Sequence, residues 1–171
     1  MSNQIPTIMV VEDETLLLQA ITKKLKLSNL DVISCASGQQ AIDYLESLDE
    51  LPDVVWLDYY LKDMNGLAFM QALKENERWS HIPVVVVSNS ASPEKVHHML
   101  ALGVKKYILK AEYRLDEIIE MMLALIADSR GGEMTDGKNG GAAPASAPTL
   151  TTPPASPEAT APQPNVGSSG V

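Results

Sequence analysis

A chain of 171 residues with 22 acidic against 13 basic side chains, a net charge of −9, has room for one ordinary domain and little general grip on nucleic acid, whose phosphates would repel it. Its one cysteine excludes an intramolecular disulfide and fits a reducing, cytoplasmic setting. The N-terminal residues 1–6 lack the basic flank and apolar core of a signal peptide, and no run approaches the roughly 18 apolar residues of a membrane span.

From the N-terminus, short apolar runs and helical stretches alternate. Ile8-Met9-Val10-Val11 predicts a strand that ends in Glu12-Asp13, and a helix follows over about 14–27, with Asp13 or Glu14 available to cap it. Val32-Ile33 predicts a second strand, and the adjoining Cys35 reads as a buried structural thiol. Ser37 is placed to cap a helix over 37–48. Val54-Val55-Trp56-Leu57 predicts a third strand ending in Asp58, with a helix over 66–76. Val84-Val85-Val86-Val87 predicts a fourth, ending in Ser88. Ser92-Pro93 sets a capping hydroxyl before a proline at the first helical position, and Gly103 stands where that helix must stop. Tyr107-Ile108-Leu109 predicts a fifth strand ending in Lys110. The last helix, 113–127, carries Leu115, Ile118, Ile119, Met122 and Ile126 along one face.

The composition changes near Arg130. Seven of the ten glycines and seven of the eleven prolines fall in residues 130–171, which contain no aromatic residue. Such a segment cannot bury enough apolar area to offset the entropy of ordering it, so the expectation is a domain over 1–129 and a disordered tail over 130–171.

Five strand–helix units in series predict an α/β domain, a doubly wound five-stranded parallel sheet with helices on both faces. Such sheets bind ligands beyond the carboxyl ends of their strands. Glu12, Asp13, Asp58, Ser88 and Lys110 should therefore meet in one crevice. Three adjacent carboxylates repel one another unless a cation intervenes, and an oxygen-only donor set suits Mg2+. A carboxylate such as Asp58 can attack phosphorus to form an acyl phosphate, with Lys110 and Ser88 holding the phosphoryl oxygens. Each residue alone is unremarkable on a surface; the four successive strand ends together point to phosphoryl transfer.

The segments Ile8–Glu14, Val54–Asp58 with Leu61–Gly66, Val84–Ser88 and Tyr107–Lys110 resemble the receiver domains of response regulators in two-component signalling, over residues 6–127. The resemblance implies a flavodoxin-like sheet in the order 2-1-3-4-5. It also implies Asp58 as phosphoacceptor, Mg2+ held by Glu12, Asp13, Asp58 and the backbone carbonyl of Tyr60, Ser88 as switch hydroxyl, Tyr107 as aromatic switch and Lys110 as phosphoryl ligand. The implied partners are a sensor histidine kinase or phosphotransfer protein and a downstream target on the face of the fourth helix, fifth strand and fifth helix. A phosphorylation-dependent homodimer belongs to the same expectation; direct DNA binding and membrane association are not expected, on the acidic charge and the lack of an apolar span given above. Met121, Leu123 and Leu125 lie off the main stripe of the last helix and are expected to expose apolar surface there. By the same resemblance Tyr60 and Ser90 would flank the path of the attacking water, which implies slow self-dephosphorylation.

Four positions depart from the family pattern: Lys62, Asn65, Asn89 and Ala111. The last replaces a proline preceded by a cis bond. A cis bond before any other residue costs about 3 kcal/mol, so the loop after Lys110 is expected to be strained or to take another course. Three other functions compete, and one of them, a DNA-binding regulator, is disfavoured by the acidic charge and by the expectation of no second folded domain. An aspartyl-nucleophile phosphatase would need a second acid where Tyr60 stands, and an interaction module that never takes phosphate would cheaply have lost one of these side chains. His81, His97 and His98 could suggest a relay histidine, but the adjacent pair His97-His98 on a helix reads as lying at a solvated or partner face.

Overall fold

The computed structural model describes residues 4–131. All of the expected tail except Arg130 and Gly131 lies outside the described residues. Ten elements alternate in chain order: β1 (Thr7–Val11), α1 (Thr15–Leu27), β2 (Asp31–Cys35), α2 (Gly38–Ser47), β3 (Val54–Leu57), α3 (Gly66–Glu75), β4 (Val84–Ser88), α4 (Pro93–Ala101), β5 (Lys106–Leu109) and α5 (Leu115–Gly131). The five strands are parallel, in the order β2-β1-β3-β4-β5.

Side chains alternate across the sheet, and the strand sequences are apolar on both faces because helices cover both. Met9, Val11, Val55, Leu57, Val84 and Val86 pack with Leu45 of α2, Phe69, Met70 and Leu73 of α3, and Met99 of α4. Their neighbours Ile8, Val10, Val54, Trp56, Val85 and Val87 pack on the other face with Leu18, Ile21 and Leu25 of α1 and Ile118, Ile119, Met122 and Ile126 of α5.

The helix signals hold with two exceptions. Ser37 accepts the Gln40 amide, Asn65 the Ala68 amide and Ser92 the Lys95 amide, each capping its helix, while Gly103 takes φ +91° just past α4. At α1, however, Glu14 is the N-cap residue and makes no side-chain cap bond, and the Asp13 carboxylate is turned to another loop. The last helix starts two residues later than expected and runs to Gly131, so Arg130 belongs to it. The Arg130 guanidinium bonds Asp53 Oδ1 at 2.8 and 3.0 Å, and the Gln4 carbonyl at 3.0 Å, fastening the final turn under the start of β3.

The expectation of exposed apolar surface on α5 is corrected. Met121, Leu123 and Leu125 are half-buried and pack against the core cluster under that helix. The apolar stripe of α5 is therefore wider than the single row of Ile118, Ile119, Met122 and Ile126, and these side chains serve packing. Large exposed apolar side chains occur instead at Leu16 and Leu27 of α1 and Leu100 of α4.

Candidate functional site

Strand register builds the site. Val11 pairs with Leu57, so the next residues, Glu12 and Asp58, leave β1 and β3 side by side at the point where the winding reverses. The Asp58 amide still donates to the Val11 carbonyl at 2.9 Å. Ser88 pairs with Leu109, which brings Lys110 out next to the end of β4, and the Lys110 amide donates to the Ser88 carbonyl at 2.8 Å. Four strand ends thus deliver the acids, the hydroxyl and the ammonium to one edge.

Ligand oxygens of Glu12, Asp13 and Asp58 lie within 4.8 Å of one another. Glu12 and Asp58 are almost sealed, at 1% and 4% exposure. The Lys110 ammonium bridges them, 2.7 Å from Glu12 Oε2 and 2.9 Å from Asp58 Oδ2. Burial pushes the Glu12 carboxyl above its ordinary range, and the Asp58 charge adds to this against the pull of Lys110. For Lys110, burial works against the charged form, but the bonds to Glu12 and Asp58 outweigh it and raise the pKa. Asp58 Oδ1 accepts the Tyr60 amide at 3.2 Å. Among the described residues there is no cis peptide, so Lys110 reaches Asp58 across a trans Lys110–Ala111 bond.

Ser88 is fully buried at the end of β4, and its hydroxyl accepts the Ser90 amide at 3.4 Å. Tyr107 is half-buried, and its hydroxyl donates to the Ser90 carbonyl at 2.8 Å, so both residues assigned to switching touch the β4–α4 loop. His97 and His98 are exposed on α4.

The loop from Tyr60 to Asn65 is held on every side. Lys62 donates its amide to Asp13 Oδ2 at 3.0 Å and its ammonium to the Asp13 carbonyl at 3.2 Å. Asp63 accepts the Gly38 and Gln39 amides at 3.1 and 2.8 Å, at the start of α2. Met64 lies over Gly38, where a Cβ would come 2.5 Å from its sulfur. Sequence reasoning marked Lys62 as a departure but missed its contact with Asp13, and it missed Asp63 and Lys95 altogether. The missed contacts span different loops, and no local pattern announces them.

Three carboxylates against the half-buried Lys110 ammonium and the exposed Lys62 ammonium, 3.6 Å from Asp13, leave the crevice negative, and its metal-facing ligand atoms are all oxygens. That donor set fits a hard divalent cation such as magnesium.

Residues 8–123 match the response regulator receiver domain family. The chain is 31% identical over 105 residues to the two-component response regulator ORR8 of Oryza sativa subsp. indica, covering 61% of this chain and 86% of ORR8. It is 34% identical over 137 residues to the nitrate/nitrite response regulator protein NarL of Escherichia coli (strain K12), covering 78% of this chain and 59% of NarL. Among solved structures, a CheY-like receiver domain protein from Methanospirillum hungatei JF-1 superposes with a TM-score of 0.68 at 19% identity, over 75% of this chain and 99% of that one. The Francisella response regulator 1452 receiver domain gives 0.65 at 22% identity, over 72% and 98%. The fold, the acidic crevice at its switch point and the match over most of the described residues lead to one conclusion: this chain belongs to the response regulator receiver domain family of two-component signalling.

Proposed function

We propose that the domain accepts a phosphoryl group on Asp58 from a sensor histidine kinase or a phosphotransfer protein, and that this changes which partner it binds. One observation carries the reading: the Asp58 carboxylate is nearly buried, bonded to Lys110, and clustered with Glu12 and Asp13 at the strand ends. A carboxylate oxygen of Asp58 attacks phosphorus, and the bond from phosphorus to the donor breaks with its electron pair going to the donor. The Lys110 ammonium, already beside Asp58, would take a phosphoryl oxygen, and the Ser88 hydroxyl would close on another. Asp13, Asp58, the Tyr60 carbonyl and Glu12 would hold Mg2+, which when bound offsets the charge of the phosphoryl oxygens.

The Ser88 and Tyr107 contacts with the β4–α4 loop support a switch that runs from Asp58 to α4. We assign output to the α4, β5 and α5 face, with exposed Leu100 as its apolar contact for a target or for a second copy in a phosphorylation-dependent homodimer. The chain then acts as a signalling module of the cytoplasm, not as a turnover enzyme, and among the described residues no helix is long and apolar enough to cross a membrane. An aspartyl phosphatase is disfavoured because Tyr60 offers no acid for the leaving group.

The test is incubation with acetyl phosphate and magnesium, read by intact mass. A single phosphate adduct is expected on the wild type, with none on Asp58→Asn and none in excess chelator. An adduct that survives either change overturns the assignment. Leu100→Lys should weaken partner binding or self-association without changing the adduct; unaltered association would remove α4 from the output face.

A further inference from the structure

Three segments meet at the mouth of the Asp58 crevice: Tyr60 after β3, Ser90 after β4 and Lys95 in the first turn of α4. Tyr60 is 44% exposed, yet its hydroxyl has two partners. It accepts from Ser90 Oγ at 3.1 Å and from the Lys95 ammonium. The same ammonium lies 4.8 Å from the Tyr60 ring centroid and 5.4 Å from that of Tyr59, which meets Tyr60 edge-on at 4.9 Å. At its other end, Tyr60 is tied to the acceptor itself, its amide donating to Asp58 Oδ1 at 3.2 Å.

Lys95 is unexpected where it stands. A cation in the first turn of a helix opposes the macrodipole, and Lys95 makes no ion pair among the described residues. What holds it is the phenol oxygen and the faces of two tyrosine rings. Removing the charge would therefore free Tyr60 without leaving a buried acid unpaired.

We propose that Lys95 is a positioning residue for the lifetime of the phosphorylated state: it fastens Tyr60 to α4 across the crevice, and this clasp must open before water can attack. The inference rests on the proposed phosphorylation of Asp58. In hydrolysis the water oxygen bonds to phosphorus from the side opposite Asp58. The bond from phosphorus to the Asp58 oxygen breaks, its electron pair stays with the carboxylate, and the water proton passes to solvent as orthophosphate leaves. Nothing is oxidised or reduced. Tyr60 follows Asp58 by two residues, its amide bonded to that carboxylate, and its hydroxyl reaches Ser90, so the bridge spans the loops that follow β3 and β4 beside the acceptor. The residue that pins Tyr60 there is placed to control the entry of water without touching phosphorus.

The full chain is phosphorylated with acetyl phosphate and magnesium, the donor is removed, and decay is followed by intact mass. Lys95→Met and Tyr60→Phe should each speed decay by about threefold to tenfold, and the double variant should be no faster than the faster single. Lys95→Arg should return the rate to within about twofold of wild type, since it restores the charge over the rings. In the unphosphorylated protein, amide hydrogen exchange over residues 89–96 should quicken in Lys95→Met and recover in Lys95→Arg. Wild-type decay in Lys95→Met, or single effects that multiply, would overturn the clasp. If even the wild type takes no phosphoryl group, the functional reading fails instead, and unchanged exchange in Lys95→Met would overturn the clasp separately.

Discussion

Replacing Lys110 with methionine keeps the apolar stem and removes the ammonium shared by Glu12 and Asp58. Each contact brings opposite charges to within 2.9 Å between heavy atoms. At about 4 Å between charge centres, in a surroundings of effective dielectric about 20, one such attraction amounts to roughly 4 kcal/mol before desolvation is subtracted. The net effect of breaking it is governed by what remains: two carboxylates at 1% and 4% exposure with no buried cation between them. Removal of one partner of a buried pair typically costs about 3–5 kcal/mol. Because Glu12 is already pushed toward its protonated form, the lower figure, about 3 kcal/mol, is expected in metal-free buffer. Asp58→Asn removes a repelling charge and leaves the Lys110–Glu12 bond, so it should lie within about 1 kcal/mol of wild type or above it. In that background Lys110→Met should cost about 1–2 kcal/mol less than in wild type. Urea unfolding followed by the fluorescence of Trp56 and Trp79 measures all four corners of the cycle, with chelator and with magnesium. Magnesium should shrink the cost of Lys110→Met, since a bound dication compensates the same carboxylates. A loss below about 1 kcal/mol in chelator, or strict additivity of the two substitutions, would refute the coupling.

Asp63 is expected to stabilise the fold in a pH-dependent way. Burial raises its carboxyl pKa, but the Gln39 and Gly38 amides outweigh that and hold it below the ordinary value of 3.8. Its contribution is therefore present above that value and lost as pH falls through the folded-state pKa. Asp63→Asn should destabilise by about 0.5–1 kcal/mol at pH 7, as loss of a helix-capping acceptor does, and the gap should close as pH falls through the folded-state pKa; a gap unchanged across that acid titration would exclude the carboxylate. Burial pushes the Cys35 thiol up to about 12, so a thiol reagent at pH 8 should label the protein only as fast as it unfolds. Labelling at the rate of an exposed cysteine would contradict that burial. Gly103→Ala should cost about 1–2 kcal/mol in urea unfolding, because φ is +91° there; a smaller loss would mean the turn relaxes.

The strand ends could be read from the sequence because the information is local. A four- or five-residue apolar run names its strand, and the residue that ends it names itself, so Glu12, Asp13, Asp58, Ser88 and Lys110 were legible without coordinates. Capping at Ser37, Ser92 and Gly103 was legible for the same reason: each depends on neighbours within four positions. The expectation for Met121, Leu123 and Leu125 failed because the width of a buried helix face depends on what packs around it, which periodicity within α5 cannot report. The end of α5 was misplaced by composition, since glycines begin at Gly131 while the pairing of Arg130 with Asp53 holds the last turn. A trans Lys110–Ala111 bond compatible with contact to Asp58, the Lys62–Asp13 and Asp63–α2 anchors, and the clasp of Tyr60 by Ser90 and Lys95 were decided only in three dimensions. The side-chain contacts among these join segments that the parallel sheet brings together after long separations in the chain, and side-chain reach across such a gap leaves no periodic trace in either segment.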